Sequence, residues 1–235
     1  MRKRSSKRLL KDTWHFIWED DSVWSWIVNI ILAFILIKFL VYPGLGLVFQ
    51  TTHPIVAVVS ESMEHKSTPI CIERGRDNYC LKYSNTDFKI CGNILKLKKS
   101  YDFDEYWDIC GEWYAENQIS KSQFQDFPLK NGFNTGDIMI LYGEKPKNIN
   151  VGEVIVFKSS RPDPIIHRVV KTWYENGEYY FETKGDHNPK PIDDSVLSEV
   201  KISENQLIGK AILKIPYLGW VKILFVKLLQ LIGIT

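Results

Sequence analysis

An apolar run from Val23 to Phe49 limits this chain more than any other feature, because only Asn29 and Lys38 interrupt it as strongly polar residues. A bilayer core is crossed by roughly 20 apolar residues in helical form, and the run meets that length. It is too long for the apolar region of a cleavable signal peptide, usually about 7–15 residues, so an uncleaved signal anchor is expected. Arg2, Lys3, Arg4, Lys7, Arg8 and Lys11 crowd the first dozen residues against the single acid Asp12. A basic flank stays on the cytoplasmic side. Residues 1–22 are therefore expected as a cytoplasmic tail, 23–49 as the span, and everything beyond as extracytoplasmic. Lys38 costs about 3 kcal/mol at mid-bilayer, lowered by snorkelling toward the outer interface that Tyr42 and Pro43 mark.

A net charge of +2 gives no field that would favour a nucleic-acid partner. Apolar residues at 45% suffice for a core. Cys71, Cys80, Cys91 and Cys110 are even in number and all follow the span, where cysteines pair. Zinc is the competing reading, but no C-x-x-C spacing occurs and no histidine lies between Cys71 and Cys110. Two disulfides are expected, with three possible connectivities.

Beyond the span, Ile55 to Val59 reads as a buried strand ending at Ser60-Glu61-Ser62-Met63. Residues 66–133 are rich in Lys, Asp, Asn, Tyr and Cys, with helix-like spacing only in patches such as Tyr101 to Trp113. They are expected as a separate small module or elaborated loop. Strand patterns return at Ile138 to Tyr142, Glu153 to Lys158, Ile165 to Tyr174 and Tyr179 to Lys184, with a hairpin turn at Asn176-Gly177. This makes 50–214 a mainly β domain with an insert. Tyr217 to Ile234 is apolar apart from Lys222, Lys227 and Gln230, which fits an amphipathic helix on the membrane within 215–235 better than a second span. Ile215-Pro216 marks its start.

Four short motifs occur in order behind the span. Ser60-Glu61-Ser62-Met63 resembles the S-x-S-M box of type I signal peptidases. Gly136-Asp137-Ile138-Met139-Ile140 resembles the G-D strand that follows it. His167-Arg168-Val169-Val170 resembles the H-R box of the archaeal and endoplasmic-reticulum branch, and Lys184-Gly185-Asp186-His187-Asn188 its K-G-D-x-N box. The resemblance covers the span, residues 54–65 and about 134–216, but not the insert. It implies a signal-peptidase-like β fold with Ser62 as nucleophile and His167 as base. Glu61 stands where relatives often have glycine, and His65 where many have proline.

A serine hydroxyl needs a positioned base, and a histidine suits that task near neutral pH. His15, His53 and His187 are weaker candidates, and His65, three residues from Ser62, is a secondary one. Lys158 is the alternative base, after the lysine dyad of bacterial relatives. The imidazole in turn needs an acid. If Asn176-Gly177 is a two-residue turn, His167 faces Asp186 across the ladder, with Cβ atoms roughly 5 Å apart. The resemblance instead implies an aspartate six positions beyond Asp186, where Ile192 stands, so Asp193 or Asp194 is favoured and Asp186 shapes the site. The backbone N–H of Ser62 is one oxyanion donor, and the resemblance implies the Ser60 hydroxyl as the other.

The expected function is removal of signal peptides from secretory preproteins at the lipid bilayer, beside the export translocon, with no metal or organic cofactor and no nucleic acid. The rival is a catalytically inert, membrane-tethered binding protein whose long insert does the work.

Overall fold

The computed structural model describes residues 6–75 and 80–231. The chain divides into two units, 1–48 and 49–235.

The first unit begins with helix α1 (Ser6–Trp18), where the sequence gives only a basic tail. Arg2, Lys3 and Arg4 lie outside the described residues, as does the side chain of Lys7. The next helix, α2 (Val23–Leu36), starts at Ser22, whose hydroxyl accepts the Ser25 N–H. Two polar residues of α2 serve α1: Ser25 Oγ donates to Phe16 O at 2.6 Å and Asn29 Nδ2 to Ile17 O at 2.8 Å. They satisfy carbonyls that a helix C-terminus leaves without intrahelical partners. A π-helical turn (Ile37–Val41) leads into α3 (Tyr42–Phe49). Pro43 supplies no N–H to the turn before it, and such ladder defects are absorbed by wider turns. Together Val23–Phe49 form the one helix among the described residues long and apolar enough to cross a membrane, and its apolar core is wholly exposed within the protein.

The second unit is mainly β. Seven antiparallel strands form the main sheet in the order β1-β5-β10-β6-β7-β8-β9. They are β1 (Ile55–Ala57), β5 (Ile138–Tyr142), β6 (Val154–Phe157), β7 (Ile165–Glu175), β8 (Glu178–Lys184), β9 (Ile202–Ser203) and β10 (Leu207–Ile215). Strand β6 is central and buried at every position, as its unbroken apolar run requires. Strand β5 buries alternate residues, Met139 and Leu141. Asn176 and Gly177, both at positive φ, make the expected tight turn, with Glu175 facing Glu178.

The insert is not a free-standing module. Its first part is a three-stranded sheet of β2 (Thr68–Arg74), β3 (Cys80–Ile90) and β4 (Asn93–Leu95). Its second part is α4 (Phe103–Glu116) and α5 (Lys121–Gln125), each opened by a capping box, Asp102 with Glu105 and Ser120 with Gln123. Tyr106, Tyr114 and Phe124 of these helices are fully buried in one cluster with Val170 of β7, so insert and sheet share a core. The disulfides are Cys71–Cys80, which staples β2 to β3, and Cys91–Cys110, which ties the β3–β4 turn to α4.

At the end of the chain, α6 (Trp220–Leu231) starts later than Ile215-Pro216 suggests, because Tyr217 takes a left-handed φ of 62° after the proline. Val221, Leu224 and Phe225 are exposed on it. The side chains of Lys222, Lys227 and Gln230, on which the amphipathic reading relies, lie outside the described residues.

Candidate active site

Strand β1 sits at the edge of the sheet, and past its end Val58 is still held by the Gly136-Asp137 turn. Val58 N–H donates to Asp137 O and Gly136 N–H to Val58 O, both at 2.9 Å. The buried Asp137 carboxylate accepts from Asn134 N–H at 2.9 Å and Tyr217 N–H at 3.2 Å. This acid is therefore a fastener for three chain segments. The chain then turns back, Glu64 N–H donating to Glu61 O, with Ser62 partly exposed in the turn.

His167 is the third residue of β7 and is 3% exposed. Its Nε2 lies 2.8 Å from Ser62 Oγ. Its Nδ1 is hydrogen-bonded to the Glu199 carboxylate. An ionised carboxylate only accepts, so Nδ1 carries the proton and Nε2 is free to accept the Ser62 hydroxyl proton; the tautomer follows from the network. Ser60 Oγ lies 3.1 Å from Ser62 Oγ, and with the Ser62 proton directed to His167, Ser60 is the donor of that pair.

Glu199 is the acid that the sequence does not single out. It is fully buried. Oε1 also accepts from Thr183 Oγ1 at 3.0 Å, and Oε2 from Ile192 N–H at 2.7 Å. Glu199 N–H in turn donates to Ile192 O at 2.7 Å. Ile192 occupies the chain position where the resemblance implies an acid, and Glu199 is hydrogen-bonded to it across a turn. The chain between them makes a tight excursion. Asp194 Oδ1 accepts from Val196 N–H and Leu197 N–H at 2.8 Å, and Asp193 Oδ1 accepts from Ser198 Oγ at 2.8 Å. Asp193 and Asp194 thus close the loop that delivers Glu199, and neither is the partner of His167. The only sign in the sequence was Asp193-Asp194-Ser195, a run of turn-forming residues shortly before Glu199.

Asp186 does not face His167 either. The β7–β8 ladder holds the expected register from Glu175–Glu178 to Lys171–Glu182, then shifts by one residue at Val170, so that Arg168 faces Lys184. A β-bulge reassigns every later partner. Asp186 instead receives Arg168 through Nε at 2.9 Å and NH2 at 2.7 Å, His65 Nε2 at 3.1 Å and Tyr114 OH at 3.1 Å. Burial alone would raise its pKa, but the charge and hydrogen bonds of Arg168 and His65 outweigh it and hold this carboxyl well below the usual range. His65 is stacked on Tyr106 at 3.5 Å, and burial lowers its pKa. His187 donates its backbone N–H to Ser62 O at 2.9 Å, while its ring contacts Glu64 O and Thr68 Oγ1. Lys158 directly follows β6 and is exposed. His53 contacts Thr52, and His15 of α1 pairs with Glu19 just beyond the helix.

A cleft of about 490 Å³ opens beside Ser62 and His167. Ala57, Val59, Pro164, Ile166 and Ile192 contribute apolar walls, and Ser60 and Asn188 polar ones. Chemically, the arrangement is a serine aligned with an imidazole, a buried acid behind that imidazole and a second hydroxyl beside the serine. That is the equipment for acyl transfer. Among the described residues no cluster of His, Cys, Asp and Glu could hold a metal ion.

Over 101 residues the chain is 35% identical to the signal peptidase complex catalytic subunit SEC11C of Homo sapiens and of Canis lupus familiaris, a stretch covering 41% of this chain and 52% of each relative. It is also 35% identical over 89 residues to the subunit sec11 of Schizosaccharomyces pombe, covering 36% and 44%. The chain spans about half the length of the curated relatives it matches. No family model matches it.

Proposed function

We propose that the chain is a membrane-bound serine endopeptidase that removes N-terminal signal peptides from exported preproteins. The observation that carries this reading is the hydrogen-bonded line from Ser62 through His167 to Glu199. It is supported by the similarity to subunits named as catalytic in a signal peptidase complex.

In the acylation step Ser62 Oγ attacks the scissile carbonyl carbon while His167 Nε2 takes its proton. The Glu199 carboxylate stabilises the resulting imidazolium across Nδ1. The oxyanion is met by the Ser62 N–H and by Ser60 Oγ. His167 then protonates the leaving amine, the C–N bond breaks, and an acyl-enzyme remains on Ser62. In deacylation His167 takes a proton from water, which attacks the ester, and returns it to Ser62. The apolar walls of the cleft fit small side chains such as those of an A-x-A-like cleavage site.

The Val23–Phe49 helix is the membrane span in this reading, with the basic N-terminal residues cytoplasmic and the β unit on the opposite side. α6, with exposed Val221, Leu224 and Phe225, lies on the lipid surface. Association with further subunits of a signal peptidase complex and with the export translocon follows the same analogy.

The test is cleavage of a preprotein by the full chain in membranes. Ser62→Ala and His167→Ala are expected to abolish cleavage, and Lys158→Ala to leave it near wild type. Equal cleavage by wild type and Ser62→Ala would falsify the proposal. Loss with Lys158→Ala but not with His167→Ala would move the base to the lysine.

A further inference from the structure

The 66–133 insert reaches the loop beneath the nucleophile with two buried hydroxyls. Tyr106 OH donates to the Asp186 backbone carbonyl at 2.8 Å, and Tyr114 OH donates to Asp186 Oδ1 at 3.1 Å. Both rings are fully buried on α4. Burial pushes both phenols well above the usual tyrosine range, so they stay protonated donors at any working pH. From the end of the insert, the carbonyls of Pro128 and Leu129 accept from Arg168 NH1 and NH2, and Phe124 packs 4.8 Å from its guanidinium. Asp186 is therefore gripped from the insert directly by Tyr106 and Tyr114 and indirectly through Arg168.

What Asp186 carries is a loop packed against the serine and the histidine. The next residue, His187, donates its N–H to Ser62 O, and Asp186 N–H lies 3.3 Å from Met63 Sδ. The preceding residue, Gly185, is so close that a Cβ there would sit 2.7 Å from Ser62 O and 2.9 Å from His167 Nε2. The segment from Gly185 to His187 is thus in van der Waals contact with both members of the serine–histidine pair. Displacing it displaces them.

We propose that the insert is a working part of the catalytic centre: Tyr106 and Tyr114 are positioning residues that fix the Gly185–His187 loop against Ser62 and His167. The inference rests on the serine-peptidase reading of that pair. It assigns the insert a role that its surface chemistry does not reveal, since the residues involved point inward.

The experiment compares the full chain, in membranes or detergent, as wild type, Tyr106→Phe, Tyr114→Phe and the double variant, with exposed Tyr83→Phe of the same insert as control. These changes remove hydroxyls and leave the rings and their packing. Because small misplacements of reacting groups cost up to about 10²-fold, kcat in the double variant is expected to fall roughly tenfold or more, with KM within about twofold and Tyr83→Phe unchanged. In parallel, amide hydrogen exchange of the segment 184–190 is expected to accelerate in the double variant alone. Unchanged kcat in the double variant, against a wild type that cleaves and a Ser62→Ala that does not, overturns the positioning role. Unchanged exchange in 184–190 overturns it whether or not the chain cleaves anything. If Ser62→Ala cleaves like wild type, the peptidase reading fails instead, and the exchange result still decides whether the insert holds the loop.

Discussion

His167 and Arg168 are consecutive on β7, and each takes one fully buried acid, Glu199 and Asp186 respectively. The division of labour predicts different failures. Glu199→Gln keeps the size of the side chain but removes the charge that fixes the tautomer, so kcat is expected to fall by roughly 10³–10⁴ with little change in KM. Single-turnover cleavage measures this, and a comparable loss in Asp193→Ala with normal Glu199→Gln would restore the aspartate as the acid. Asp186 acts on stability. Its folded pKa is depressed, so its contribution is complete above the unfolded value and is lost as pH falls through about 4 and below. Denaturation of wild type between pH 5 and 3 should therefore be steeper than that of Asp186→Asn; identical slopes would refute this. The contact between Ser62 and His167 was legible because short motifs single out both residues. The contact of Glu199 with His167 was not, because a local excursion separates Glu199 along the chain from Ile192, to which it is hydrogen-bonded.

Among the elements, strands buried on a regular pattern were readable and irregular ones were not. β5, β6, β7 and β8 stand within a residue or two of their expected limits. β10 was missed because Gly209, Lys210 and Lys214 break its alternation, and β2 and β3 because both carry exposed polar residues and their pairing shifts register repeatedly. The bulge at Val170 had no sequence mark, yet it decides that Arg168 rather than His167 meets Asp186. The end of β8 carries a pH-sensitive group. Lys184 is fully buried among Trp113, Tyr114 and Gly185 O, and burial lowers its pKa to about 7. The folded state then binds fewer protons than the unfolded one between about 7 and 10, so this residue makes stability rise with pH there, by at most about 1.4 kcal/mol per pH unit. Urea midpoints across that range should rise in wild type and flatten in Lys184→Met. A slope unaltered by the substitution would exclude Lys184 as its source.

For the whole molecule, the sequence separated an apolar helix, a β unit and an insert, and left the insert either as a separate small module or as an elaborated loop. A shared apolar cluster is invisible to a reading that takes segments one at a time, because Val170 and Tyr114 meet only in the folded chain. Deleting 66–133 is accordingly expected to give an insoluble or inactive chain; a folded, active deletion measured by circular dichroism and cleavage would show that the core closes without it. The strand order has a further consequence, one of timing. β10 is the last long strand to be made, yet it lies in the middle of the sheet, between β5 and β6. Until it arrives, the ribbon β1-β5 that leads to Ser62 and the ribbon β6-β7-β8 that carries His167 have no strand joining them. Until Leu207–Ile215 has been synthesised, a nascent chain therefore holds Ser62 and His167 on separate pieces of sheet.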